Sequence, residues 1–311
     1  MKKQCDLLRE TDWDVLIVLD ACRADSFRRR VPRAETVRSM AWCTHRWMHE
    51  FVRAVEGHTV TYVSANPVCD RELRKHPDVP IRRVPVWDFA WTRVGPLALP
   101  TVHPGSVRAA LLADLVRLAV FKDAEGAGVP PKRNSKRAAA AARLVVHYVQ
   151  PHLPYVGEHS LSFTDWGNCG GELSALLKRG PTPQEALAQG LVTWEELRRA
   201  YESNLDFVLP YALELANDLN CAPCCARPRT APEREARGAP AASGASLRVV
   251  ITADHGQLLG EGGEYGHVVG PRPLLFEVPW LVLSERTGGE RERSEGSRAT
   301  VQDKLEALGY A

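Results

Sequence analysis

The chain has 311 residues, 44% hydrophobic and 25% charged, which is the composition of an ordinary folded protein and excludes collagen-like and wholly disordered chains. Its formal net charge of +2 predicts no general attraction to nucleic acid or to acidic membrane surfaces. Residues 1–10 lack the apolar centre of a signal peptide and no run of 18 apolar residues occurs, so we expect a cytoplasmic protein without a membrane span.

Strand and helix patterns alternate in the first half of the chain. Residues 14–20 form a nearly continuous apolar run that ends at Asp20, which predicts a strand buried on both faces. Turn residues and helical spacing then predict a helix over 22–30, a strand over 59–64 and a helix over 106–121. This alternation favours parallel strands joined by helical crossovers.

The second half continues the pattern. Residues 144–149 predict a strand, and residues 193–219 predict a helix that begins with a capping box formed by Thr193 and Glu196. We therefore predict an α/β fold with a mainly parallel central sheet, built as a single domain over residues 1–311. Residues 221–246 are rich in Pro, Ala, Arg, Gly and Ser, which predicts a disordered insert.

A second buried strand ends in chemistry-bearing residues. The β-branched run at 247–253 leads into Asp254, His255 and Gly256, and we expect the glycine to allow a sharp turn there. Because ligands bind beyond the carboxyl ends of strands in open α/β sheets, Asp254 and His255 are expected beside Asp20. Carboxylate oxygens and an imidazole nitrogen together suit a divalent transition metal.

Several motifs resemble the sulfatase-like branch of the alkaline phosphatase superfamily. In the order of that family, the matching pieces are 15–25, 147–155, 252–256, Gly266-His267, 277–280 and 308–310. The resemblance implies an alkaline-phosphatase-like three-layer sandwich. Since few residues follow Leu283, the C-terminal subdomain of that family is expected to be reduced here.

The resemblance also implies a metal centre. Its ligands would be Asp20, Asp254, His255 and the nucleophile of the reaction. A histidine among the ligands disfavours an all-oxygen calcium cage, so we rank Mn²⁺ and Zn²⁺ ahead of Ca²⁺. One metal is preferred to two, because the additional ligands of two-metal relatives have no clear counterpart and Asp165 is isolated.

The nucleophile is assigned to Thr44. The chain has no Cys/Ser-x-Pro-x-Arg motif of formylglycine sulfatases, whereas a threonine or serine serves other members, and Thr44 opens a predicted helix where backbone N–H groups favour an anion. Cys43 is an alternative because a thiolate is a strong nucleophile, and Ser39 is a more remote one. Alternatively, Thr44 could be the N-cap of this helix and have no catalytic role.

Four further residues receive roles from the resemblance, and Arg46 is added as a residue that could meet an anionic substrate. His152 and His267 would meet the leaving group, where an imidazole can donate a proton near neutral pH. Asn66, His147 and Arg46 would bind substrate, the amide of Asn66 by donating to the transferred group. For Asn66 a plain turn is the alternative, for His147 a packed structural histidine, and for His267 a ligand to a second metal.

These assignments predict a metal-dependent hydrolase of phosphate mono- or diesters that acts through Thr44. The expected partner is a small-molecule or glycan phosphate or sulfate ester, not nucleic acid, and the oligomeric state is left open. Three alternatives stay open: a sulfuric ester hydrolase without formylglycine, a phosphotransferase acting on a glycan or lipid, and a non-catalytic protein that binds an anion or a glycan.

Overall fold

The computed structural model describes residues 1–125, 143–162, 181–221, 247–267 and 270–283. The strands within these ranges are β1 (Val15–Asp20), β2 (Glu35–Arg38), β3 (Val60–Ser64), β4 (Ile81–Pro85), β5 (Trp91–Val94), β6 (Leu99–Val102), β7 (Arg143–Pro151), β8 (Val249–Ala253), β9 (Leu258–Leu259), β10 (Tyr265–Gly266) and β11 (Glu277–Leu283). The α-helices there are α1 (Gln4–Glu10), α2 (Ala24–Arg30), α3 (Thr44–Ala54), α4 (Pro67–Leu73), α5 (Val86–Phe89), α6 (Pro104–Glu125), α7 (Pro183–Ala188) and α8 (Trp194–Cys221). Two 3₁₀ turns cover Glu261–Gly263 and Pro273–Phe276.

The central sheet of the described chain has seven strands in the order β2-β11-β8-β1-β7-β3-β4. The contiguous block from β8 to β4 is parallel throughout, and β11 runs antiparallel to both of its neighbours. The predicted α/β class with a mainly parallel central sheet is therefore confirmed. Two small antiparallel ribbons, β5-β6 and β9-β10, lie outside this sheet.

Strand β1 is the central strand of the seven-stranded sheet, and all of its residues are buried. Because successive side chains of a strand point to opposite faces, both faces of the sheet must be covered here. Helix α3 contacts α1 and α4, whereas α8 contacts β7, α2 and α6. The predicted capping box of α8 is present: the Thr193 hydroxyl accepts from the Glu196 amide at 3.2 Å, and Glu196 accepts from the Thr193 amide at 2.8 Å.

Some predictions fall where the structure is not described. The predicted insert begins at Cys221, the last residue of α8, and 222–246 lie outside the described residues. Asp165, the motif at 308–310 and the predicted reduction of the C-terminal subdomain lie outside them too. Within the described helices, none combines the length and the apolar character needed to cross a bilayer.

Candidate active site

Four adjacent parallel strands end at one edge of the sheet and bring chemistry-bearing side chains together there. Asp20 ends β1, Asp254 and His255 follow β8, Asn66 follows β3, and His152 follows β7. This edge is where α/β sheets bind ligands, because the loops after the strands diverge and leave a crevice. Residues far apart in the sequence thus meet in one place.

The Asp254 carboxylate is the most heavily bonded group of the site. Its Oδ1 accepts from the backbone amides of Ala21 at 3.0 Å and His255 at 2.9 Å. Its Oδ2 accepts from the Thr44 hydroxyl at 2.8 Å. Burial alone would raise the pKa of Asp254, but the neighbouring His255 and His147 and these donors lower it below its ordinary value. Asp254 therefore carries the negative charge of the cluster.

The Asp20 carboxylate is in the opposite state. Its Oδ2 accepts from the Asn66 amide at 2.5 Å, while its buried Oδ1 has no hydrogen-bond partner among the described residues. Burial and the nearby charge of Asp254 raise the pKa of Asp20 well above its ordinary value. Two buried carboxylates that repel each other, one with a bare oxygen, are stabilised by a cation between them.

The ring of His255 completes a set of metal-type donors. Its Nδ1 lies 2.8 Å from the Gly256 carbonyl oxygen, which can only accept, so Nδ1 carries the proton and Nε2 presents a lone pair. That Nε2 lies 3.6 Å from Asp20 Oδ1 and 3.4 Å from Asp254 Oδ2. The ligand atoms of Asp20, Asp254 and His255 all lie within 4.8 Å of one another, and these residues are buried. The donor set fits a divalent metal ion.

Thr44 lies at the rim of this donor set. It is the first residue of α3, is buried, and has its hydroxyl oxygen 3.2 Å from His255 Nε2 as well as bonded to Asp254. Cys43 occupies the N-cap position instead, and burial raises the pKa of its thiol, which disfavours the thiolate. The Ser39 hydroxyl donates to the Asp254 backbone carbonyl, so it braces the strand end.

His147 is enclosed below the metal-type cluster. Its Nδ1 lies 2.7 Å from the Tyr62 hydroxyl and 3.2 Å from Cys69 Sγ, and burial lowers its pKa to about 4. Its Nε2 has no hydrogen-bond partner within the described chain and faces Asp254 Oδ2 at 3.9 Å. These surroundings are those of a packed histidine beside Asp254, and the substrate-binding role of His147 stays a prediction.

His152 and His267 form a second layer over the metal-type cluster. The ring centroid of His267 is 4.3 Å from that of His255 and 5.2 Å from that of His152. Burial and the two neighbouring imidazoles lower the pKa of His267 well below its ordinary value. The structure thus places His152 and His267 beside His255, and Gln257 orients His267 through a contact of 3.3 Å to Nδ1.

Two predicted substrate-binding residues have different surroundings from those expected. Asn66 donates to Asp20 and accepts from the Val68 amide at 2.7 Å, so its amide is held against a predicted metal ligand. Arg46 is exposed and stacks over the Trp42 ring, with 4.4 Å from its guanidinium carbon to the ring centroid. Arg46 is thus outside the Asp–Asp–His cluster and lies on the outer side of α3.

Sequence reasoning missed the strained residue that follows Asp20. Ala21 has a φ of 57°, a left-handed conformation that costs roughly 1–2 kcal/mol for a residue with a Cβ. Its amide donates to Asp254, and its carbonyl accepts from the Tyr201 hydroxyl at 2.8 Å. Tyr201 also accepts from the Arg23 amide at 2.8 Å, so a helix residue holds the turn that links the two acids.

Sequence reasoning also missed Asn204, a fully buried amide in the middle of α8. Its Nδ2 donates towards the carbonyls of Pro151, His152 and Pro154 at 2.9–3.2 Å, and its Oδ1 accepts from the Val156 amide at 3.0 Å. One side chain thereby holds the whole histidine loop after β7. A signal was present, because a polar residue interrupts the apolar stripe of an otherwise amphipathic helix.

Gly256 is required for a different reason from the one expected. A Cβ built on it would lie 2.2 Å from the Leu274 carbonyl oxygen, and its amide donates to the Leu275 carbonyl at 2.8 Å. Its φ is not in the left-handed region, so the expected sharp turn is not what demands glycine. Close backbone approach explains why a glycine follows the Asp-His pair.

Comparisons with known proteins add structural similarity only. No protein-family model and no curated protein matches the sequence. The soluble domain of lipooligosaccharide phosphoethanolamine transferase A from Neisseria meningitidis is 15% identical with a TM-score of 0.42, over 88% of this chain and 76% of that one. The periplasmic domain of phosphoethanolamine transferase EptC from Campylobacter jejuni is 14% identical with a TM-score of 0.38, over 88% and 78%. Phosphonate monoester hydrolase of Agrobacterium radiobacter is 10% identical with a TM-score of 0.41, over 86% and 67%.

Proposed function

We propose that this protein is a metal-dependent enzyme that cleaves phosphate mono- or diesters by using the Thr44 hydroxyl as nucleophile. One observation carries the proposal: the Thr44 hydroxyl lies on the same buried cluster of two acids and one histidine that fits a divalent metal. A phosphoester is cleaved at neutral pH only if the nucleophile is activated and the developing charge is stabilised. The cluster supplies both functions from one set of residues.

Asp20, Asp254 and His255 would hold the metal ion, with Thr44 completing the set. When bound, a divalent ion supplies Lewis acidity, which lowers the barrier to deprotonation of the nucleophile and neutralises charge on the phosphoryl oxygens. Zn²⁺ and Mn²⁺ suit these ligands better than Ca²⁺, because one ligand is a nitrogen. Asn66 fixes the orientation of Asp20 by donating to its Oδ2.

The chain's own residues then account for the chemical steps. The Thr44 proton leaves toward Asp254 Oδ2, its present acceptor, as Thr44 Oγ1 attacks the phosphorus atom. The bond from phosphorus to the leaving oxygen breaks, and that oxygen takes a proton from His267 or His152. Burial and the neighbouring imidazoles lower the pKa of His267, and a bound anionic ester opposes this shift and favours the protonated form. Water then attacks phosphorus and gives a proton to the imidazole that was left neutral, while the Asp254 carboxyl returns its proton to Thr44 Oγ1 as the bond from Oγ1 to phosphorus breaks.

The first experiment measures hydrolysis of p-nitrophenyl phosphate, bis(p-nitrophenyl) phosphate and p-nitrophenyl sulfate, each with Mn²⁺, Zn²⁺ or a chelator. We expect metal-dependent turnover of at least one phosphate ester, lost by a factor of at least 10³ in Thr44→Ala and largely retained in Thr44→Ser. Thr92→Ala removes a hydroxyl from an exposed strand position and is the matched control. Preferred turnover of the sulfate, or full activity in Thr44→Ala, would contradict the proposal.

Phosphoryl transfer and hydrolysis share their first step, the attack of Thr44 on phosphorus. A second experiment must therefore determine whether water or another hydroxyl accepts the phosphoryl group. Acid quenching during turnover, followed by peptide mass spectrometry, should find a phosphoryl group on Thr44. Adding glycerol then separates the two reactions, because a transferase forms glycerol phosphate at the expense of inorganic phosphate. Metal binding without any turnover would instead favour the non-catalytic alternative.

A further inference from the structure

A groove of about 490 Å³ lies along the outer side of α3, next to the turn that carries Thr44. One wall is formed by the segment before Thr44, through Trp42, and by the exposed side of α3, through Arg46 and His49. The opposite wall is the turn that follows α4, with Lys75 and His76. The groove is lined mainly by groups that donate hydrogen bonds or carry positive charge.

The two carboxylates of the groove are already engaged by cations. Glu72 is mostly buried and accepts from Lys75 Nζ at 2.7 Å and lies 2.9 Å from His45 Nδ1. These partners lower the pKa of Glu72 although burial alone would raise it. Glu50 lies 3.6 Å from the Arg53 guanidinium. Neither acid therefore leaves an uncompensated negative charge facing the groove.

Arg46 has no such partner. Within the described residues, no carboxylate oxygen lies within 4.0 Å of its guanidinium, which stacks on Trp42 at 4.4 Å instead. Stacking fixes the plane of the guanidinium and leaves its N–H groups at the edge, which is how arginine presents a fork to a phosphate or a carboxylate. The ring of His49 lies 5.9 Å from that of His76, which adds imidazole donors nearby.

A metal ion suits this groove poorly despite its three histidines. His45 already uses Nδ1 on Glu72, and the guanidinium of Arg46 repels a cation. The histidines do not form a close group of ligand atoms of the kind that Asp20, Asp254 and His255 form. The uncompensated positive charge of Arg46 therefore favours an anion.

We propose that the groove binds a second anionic group of the substrate, a phosphate on the same molecule as the ester cleaved at Thr44. The lining segment of the groove, through Trp42, ends two residues before Thr44, and Arg46 folds back onto Trp42, so the groove adjoins the end of α3 that carries Thr44. A phosphorylated sugar or a similar compact polyanion can span them. This inference rests on the proposed function where it says that the bound molecule is also the ester cleaved at Thr44. Binding of an anion in the groove does not depend on that function.

The binding test uses inorganic tripolyphosphate, titrated calorimetrically into the full chain in the presence of a chelator. Without metal the two acids of the site repel anions, so binding reports the groove. Arg46→Gln should weaken the dissociation constant at least fivefold, and Arg46→Lys should recover part of it. Arg28→Gln removes the same charge from an exposed position on α2 and should change it less than 1.5-fold. Equal binding by wild type and Arg46→Gln overturns the proposal.

The kinetic test compares glucose 1,6-bisphosphate with glucose 6-phosphate in the metal-loaded enzyme. The ratio of their kcat/KM values should favour the bisphosphate and fall at least tenfold in Arg46→Gln, chiefly through KM, while Arg28→Gln keeps the ratio. An unchanged ratio in an active Arg46→Gln enzyme overturns the groove. Absence of turnover in wild type contradicts the proposed function. The calorimetric result then still shows whether the groove binds an anion through Arg46.

Discussion

The Thr44 hydroxyl donates to Asp254 Oδ2 over 2.8 Å, although 210 positions separate the two residues in the sequence. A threonine that only capped its helix would use its oxygen on the helix's own first amides. Here Cys43 holds the cap position, and the recorded partners of the Thr44 hydroxyl are Asp254 and His255. The hydroxyl is therefore oriented by the acid–histidine cluster.

Asp20→Asn should separate metal binding from intrinsic stability. In a chelator the substitution removes one of two buried, mutually repelling carboxylates, so we expect a higher Tm than wild type. With excess Zn²⁺ or Mn²⁺ the wild type should gain stability, about 2.7 kcal/mol at a metal concentration 100 times Kd, and the variant should gain far less. Differential scanning calorimetry with and without metal measures both effects.

The pH dependence of the stability difference between wild type and Asp20→Asn follows from the raised pKa of Asp20. A carboxyl whose pKa is higher in the folded than in the unfolded state stabilises the fold below the unfolded pKa, and this contribution is lost as pH rises through the folded value. In a chelator, the advantage of Asp20→Asn over wild type should therefore grow from about pH 4 upward. An advantage that shrinks with rising pH would contradict the assigned direction.

Ala21 offers a test of stored backbone strain. Ala21→Val should destabilise the fold by about 2 kcal/mol or more, because a β-branched side chain tolerates the left-handed φ of 57° poorly. Ala21→Gly should keep the stability close to wild type, since relief of the strain offsets the greater freedom of the unfolded chain. Urea unfolding measures both. If Ala21→Gly cost as much as Ala21→Val, strain would not explain the position.

The sequence was most informative where the burial pattern was simple. The apolar runs before Asp20 and Asp254 predict β1 and β8 because both faces of these strands are covered, so no polar residue alternates within them. The edge strand β2 was not predicted, since its four residues include three charged or polar ones with a single fully buried position at Val37. Short edge strands lack a usable periodicity.

The residues of the site also divide into those that the sequence could place and those that it could not. The placement of Asp254 and His255 beside Asp20 could be predicted because the carboxyl ends of parallel strands meet at one edge of the sheet, whereas their role as metal ligands was implied by the family resemblance. The apolar stripe of α8 could have singled out Asn204, but not its role, since that role depends on a loop about fifty positions away along the chain. The side of α3 on which Arg46 lies could not be predicted either, because a shift of one position along a helix moves a side chain from the side of the site to the side of the groove. The predicted cytoplasmic location and the single domain stay predictions.

Asn204→Ala should disrupt the histidine loop. The substitution leaves the carbonyls of Pro151 and His152 and the amide of Val156 without this partner, at a cost of about 2–4 kcal/mol for the buried groups. Asn217→Ala makes the same change at an exposed position of α8 and should be nearly neutral. Thermal unfolding compares the two, and hydrogen exchange at residues 153–156 tests whether the loss is local. Equal stabilities would remove Asn204 from the set of positioning residues.

The role of His267 can be tested by varying the leaving group of the substrate. If His267 donates a proton to the departing oxygen, His267→Ala should lower kcat for phenyl phosphate by roughly 100-fold, within the range for general acid catalysis. The loss should be much smaller for p-nitrophenyl phosphate, because its leaving oxygen is less basic and needs little protonation. The slope of log kcat against leaving-group pKa over a series of aryl phosphates should therefore become steeper in the variant.

His159→Ala is the matched control, since His159 lies in the loop after β7 and has no recorded contact with the acids of the cluster. Its slope should equal that of wild type. His152→Ala distinguishes the two second-layer histidines, because the residue that protonates the leaving oxygen must change the slope, whereas one that only contacts the phosphoryl oxygens must lower all rates equally. A parallel fall across the series in His267→Ala would assign His267 to phosphoryl binding and the proton to His152.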